Sequence, residues 1–101
     1  MAINPRYKKA VEFLLAVRAR SPYRIERRQM AFAIWALKNP AKYAGPHQLG
    51  YVDERHEAFH AAAQRIRGWL DGYPEMLPAY RFLMARSTEK LPFYMNTVNS
   101  Y

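Results

Sequence analysis

Cysteine is absent from the 101 residues. That excludes disulfides, thiolate metal sites and a cysteine nucleophile in one step, and it fits a reducing cytoplasm. Glycine is scarce, at four residues, and none of the four forms a glycine-rich phosphate loop. Serine occurs only at 21, 87 and 100, never in a Gly-x-Ser-x-Gly elbow. Long apolar runs are missing as well: the longest, MAFAIWAL at 30–37, is eight residues, whereas a membrane span takes about 20. Glu12 interrupts the apolar stretch that a signal peptide would need after Lys8 and Lys9. No segment alternates in the manner of a strand, and no repeat is visible. These gaps lead to the expectation of a soluble, cytoplasmic chain forming a single domain over 1–101. Its length is sufficient for a core without metal or disulfide support.

Acidic residues are also scarce, in one place. The formal charge is +8. Residues 1–42 carry Lys or Arg at ten positions (6, 8, 9, 18, 20, 24, 27, 28, 38, 42) against Glu12 and Glu26 alone. Residues 43–101 hold equal numbers of basic and acidic side chains. The whole net charge therefore belongs to the first 42 residues, and a single-sign half attracts polyanions.

What is present is helical punctuation. Asn4-Pro5 and Ser21-Pro22 each pair an N-cap residue with proline at the first helical position, where its missing N–H costs nothing. Asn39-Pro40 repeats the device. The pattern predicts helices over 5–20, 22–38, a short turn over 40–44, then 53–70 and 78–86. On the first, Tyr7, Ala10, Val11, Phe13, Leu14 and Val17 share a face opposite Lys8, Lys9, Glu12 and Arg20. The second should bury Ile25, Gln29, Met30, Phe32, Ala33, Ala36 and Leu37. The fourth carries the stripe Phe59, Ala62, Ala63, Ile66, Trp69 and Leu70. The expected fold is all-α, a compact bundle of four to five helices. Residues 87–101 are expected to be a final helical turn or a C-terminal docking arm.

One stretch carries catalytic spacing. HEAFH, at 56–60, puts His56 and His60 one turn apart on a helix with Glu57 between them. It resembles the metal-binding stretch of the zincin peptidases, in which two such histidines hold zinc and the glutamate activates its water. The resemblance covers five residues and lacks what the chemistry requires. A catalytic zinc takes a third protein ligand. The longer metzincin pattern would put Gly at 63 and His at 66, but Ala63 and Ile66 stand there. His47 is the one other histidine. We therefore expect His56 and His60 to shield the edge of the core, with no resident metal or other cofactor and no catalysis.

The stronger constellation is basic. Arg24, Arg27, Arg28, Ala31, Trp35 and Lys38 follow i, i+3, i+4, i+7 spacing on the second helix. Arginine forks suit phosphate or carboxylate oxygens, and tryptophan suits stacking on a base or anchoring a protein contact. Lys8, Lys9 and Arg20 add charge from the first helix, and Arg18 and Lys42 from its neighbourhood. The expected function is non-catalytic binding of a polyanionic partner, either nucleic acid or a nucleoprotein surface. The rival is a modulator or inhibitor that binds an acidic protein, of the kind phages and mobile elements carry. In that case aromatic residues of the 43–51 loop and the tail (Tyr43, His47, Tyr51, Phe93 and Tyr94) would form the interface.

Overall fold

The computed structural model describes residues 3–43 and 54–87. They form four α-helices: α1 (Pro5–Arg20), α2 (Arg24–Lys38), α3 (Glu54–Trp69) and α4 (Leu77–Ala85). Two short 3₁₀ turns, Pro40–Tyr43 and Pro74–Met76, follow α2 and precede α4. The result is one small all-α domain, with no strand among the described residues. None of its helices is long and apolar enough to cross a membrane.

The start of α1 follows from its sequence. Pro5 opens the helix, and the Asn4 Oδ1 accepts a hydrogen bond from the Arg6 N–H at 2.9 Å, satisfying one of the amides the first turn leaves over. The same device does not operate at Ser21-Pro22. Helix α2 begins at Arg24, two residues later than the proline suggests, with Tyr23 as N-cap. Ser21 instead closes α1, its N–H donating to the Val17 carbonyl at 2.9 Å. Its hydroxyl accepts from the Tyr23 N–H at 3.1 Å, a local turn that competes with capping. The Asn39 side chain likewise faces backwards, its amide nitrogen donating to the Trp35 carbonyl at 2.9 Å and closing α2, while the expected short turn does begin at Pro40 and runs to Tyr43.

The core lies where α2 packs against α1 on one side and α3 on the other, with α4 closing against α3 and α1. Its fully buried side chains include Val11 and Leu14 of α1, Met30 and Leu37 of α2, and Phe59 and Ile66 of α3. Met76 and Leu83 complete it. Alanines at 33 and 36 of α2 and at 58, 62 and 63 of α3 are completely buried. Aromatic contacts close the edges, Tyr7 on Phe82 with ring centroids 5.4 Å apart and Phe13 on Trp69 at 5.1 Å.

The assignment of Ile25 to the core is overturned: it is 74% exposed, while Ile34 is buried in its place. Ile25 stands roughly 100° around α2 from the mean direction of the buried set. It also lies in the first turn, where the helix is only beginning.

A candidate polyanion-binding groove

The last two turns of α1 and the first two of α2 are joined by only three residues, 21–23, so the helices lie side by side there. Each contributes a matching stripe. From α1 come Leu15, Arg18 and Ala19; from α2 come Arg24, Arg27, Arg28 and Ala31. These seven residues line an open groove of about 580 Å³. Four are arginines and three are apolar, and no carboxylate lines it among the described residues. Leu15, 40% exposed, contributes to the apolar floor.

Two of the arginines are held in place. The Arg27 Nη1 donates to the Ser21 carbonyl at 3.0 Å, tying the start of α2 to the end of α1. Arg28 makes a two-pronged contact with Glu54, the first residue of α3. Its Nε donates to Oε2 at 3.1 Å and its Nη2 to Oε1 at 2.8 Å. That carboxylate hydrogen bond, reinforced by its charge, raises the already high pKa of the guanidinium. Arg28 also lies over the Phe32 ring, 5.4 Å from its centroid. Arg18 and Arg24 make no ion pair among the described residues.

The groove leads along the same face of α2. Trp35 stands one turn past Ala31 and is 44% exposed, with the Lys42 ammonium 5.7 Å from its ring. Lys38 is exposed beyond it. Arg24, Arg27, Arg28, Trp35 and Lys38 are thus gathered along one surface of α2, and Arg18 joins them from α1.

The other basic candidates lie elsewhere. Lys8 and Lys9 line a separate hollow of about 290 Å³ with Glu12 and Glu75, a mixed-sign surface. Lys9 also sits 5.7 Å from the Tyr73 ring. Arg20 faces a third groove, about 680 Å³, shared with Phe13, Val17, Trp69 and the Glu26–Arg65 ion pair. There the Glu26 carboxyl is held below the ordinary glutamate range, first by a hydrogen bond with the Ser21 side chain and then by Arg65. Of these three hollows, the α1–α2 groove is the one without an acid in its lining among the described residues.

The histidine motif does lie on a helix. His56 and His60 are half-buried on α3, Glu57 is exposed, and His56 meets Phe59 edge-on at 6.4 Å. No group of three metal-ligating side chains occurs among the described residues. Of the proposed aromatic interface, Tyr43 ends the first 3₁₀ turn. His47, Tyr51, Phe93 and Tyr94 lie outside the described residues, as does the tail beyond 87.

Sequence reasoning missed Leu15 and Ala19 as floor, the central place of Arg18, and Glu54 as partner of Arg28. The first three had a signal. Positions 15, 18 and 19 repeat the i, i+3, i+4 spacing of 24, 27 and 28 across a three-residue link. Glu54 had none, since it arrives from 26 residues away. Comparison with protein-family models, curated proteins and solved structures yields no match to this chain.

Proposed function

We propose that the protein is a non-catalytic binding module that holds the phosphate backbone of a nucleic acid in the α1–α2 groove. The observation that carries this reading is a concave surface with four arginines and, among the described residues, no carboxylate in its lining. A solvated helix face mixes signs, as the hollows around Lys8 and Arg20 do. Guanidinium forks match phosphate oxygens two at a time. Immobilising Arg27 beforehand lowers the ordering cost of binding. We place its action in the cytoplasm, since a cysteine-free chain is compatible with reducing conditions.

A second reading has its own support. Tyr23 and Ile25, 69% and 74% exposed, flank Arg24 in the sequence. Exposed apolar side chains next to arginines suit the centre of an interface with an acidic protein, and that partner would make the chain a modulator of a larger complex.

The two readings separate by salt. With Arg28 shared with Glu54, the groove neutralises three to four phosphates, so log K should fall with log salt at a slope of about −2 to −3 for a single strand. Fluorescence anisotropy of a labelled oligonucleotide should then show affinity dropping about 20- to 50-fold between about 50 and 200 mM salt. Tyr23→Ala with Ile25→Ala should leave that binding nearly unchanged. Absence of oligonucleotide binding at low salt would reject the nucleic-acid reading in favour of a protein partner.

A further inference from the structure

Resting on the groove reading, we infer that the partner is single-stranded, with its phosphates among the arginines and a base stacked on Trp35. Three features point the same way. First, the charged face of α2 is flanked by α1. Its arginines share a groove with Leu15, Arg18 and Ala19 of α1, so α2 does not stand clear of its neighbour as a helix entering a major groove must. Second, three of the seven lining residues, Leu15, Ala19 and Ala31, are apolar. A duplex keeps its base faces stacked inside and offers a polar exterior, so apolar lining gains little from it. A single strand can turn a sugar or base face onto such residues while its phosphates meet the arginines.

The third feature is Trp35. Residues 24, 28, 31 and 35 fall within a narrow sector of the helix, and at 1.5 Å per residue Trp35 lies about 16 Å beyond Arg24 along the axis. The indole is 44% exposed. Lys42 over the Trp35 ring and exposed Lys38 nearby supply positive charge at the far end of the track. Cationic groove and exposed aromatic are the two parts of a sequence-tolerant single-strand platform. The track is short, enough for on the order of four nucleotides, the low end for such surfaces.

The experiment compares Trp35→Ala, Trp35→Tyr and unaltered protein, each checked for helicity by circular dichroism. The probes are an unstructured oligonucleotide of about eight nucleotides and a duplex of the same sequence. For the single strand, binding should quench tryptophan fluorescence. Trp35→Ala should abolish the quench and weaken binding about 5- to 150-fold, the value of one stacked base. The salt slope should stay as it was, because no phosphate contact is removed. Trp35→Tyr, which still stacks, should recover most of the affinity. The duplex should bind more weakly and ignore both substitutions. Equal or tighter duplex binding, or single-strand affinity indifferent to Trp35→Ala, overturns the inference while leaving the groove intact. Failure of both probes to bind at low salt overturns the groove reading and this inference with it.

Discussion

Glu54→Gln should tighten polyanion binding. In the folded protein the Glu54 carboxylate already occupies the fork of Arg28, at 3.1 and 2.8 Å. A phosphate approaching the groove therefore meets a guanidinium that is half neutralised and must compete for its N–H groups. Glutamine keeps the size and one acceptor oxygen but removes the charge. One additional cation then becomes available to the ligand. In counterion terms this adds about 0.7 to the magnitude of the single-strand salt slope and about 5-fold to the affinity near 0.1 M salt. Little stability should be lost, because both side chains are more than half exposed and screened pairs contribute little. The assay is anisotropy titration across a salt series, with thermal unfolding followed in parallel. Removing a negative charge anywhere raises polyanion affinity somewhat, so the double variant with Arg28→Gln supplies the control. If the gain acts through Arg28, it disappears in that background. An unchanged or weaker Glu54→Gln complex, or a gain that persists without Arg28, refutes the reasoning.

Further predictions address the fold around the groove. Leu37→Ala, at a fully buried position in α2, should cost about 2–5 kcal/mol in urea unfolding. Ile25→Ala, at a 74% exposed position of the same helix, should change stability by less than about 0.5 kcal/mol. Glu26 has a folded-state pKa below its unfolded one, so its stabilising contribution is present above the ordinary glutamate pKa and is lost as acid protonates it. Unfolding temperature should therefore decline from about pH 5 downward, and Glu26→Gln should flatten that decline. Prolonged dialysis against a chelator should leave the unfolding temperature unchanged, and His56→Ala should not alter the metal content of the purified protein; zinc at one equivalent that vanished in the variant would reverse this.

The helices were legible because prolines and apolar periodicity act locally. Asn4-Pro5 started α1 where expected, and the stripe from Phe59 to Ile66 is buried as its spacing requires. The errors arose where one residue type serves two local roles. Ser21 can cap the helix that follows or close the helix before, and the three-residue link decides for the latter through its hydroxyl turn. The Asn39 side chain also turns back, to the Trp35 carbonyl, although the short turn expected after it does begin at Pro40. The α2 arginines were readable as a stripe, since i, i+3, i+4 spacing is all that a shared face needs. That they form one wall of a groove, with Arg18 opposite, depends on how α1 and α2 pack. The pairing of Glu54 with Arg28 depends on α3 arriving alongside. Glu12 stands one turn from Lys8 on α1, so part of the mixed sign around the lysines was local, while Glu75 reaches them only through tertiary packing.

The central claim is that the location of charge, rather than its total, creates the binding surface. The direct test compares two variants of equal net charge. Arg18→Gln with Arg24→Gln removes two groove arginines that hold no ion pair among the described residues, and Lys8→Gln with Arg81→Gln removes two exposed cations that do not line the groove. Anisotropy with a short single-stranded oligonucleotide at about 0.1 M salt should show the groove variant weakened about 25-fold, with its salt slope reduced by about 1.4. The other variant should stay within about 2- to 3-fold of the unaltered protein, because charges a Debye length or more from the ligand are largely screened. Equal losses in the two would contradict the account, leaving the protein's basic character as a property of its whole surface.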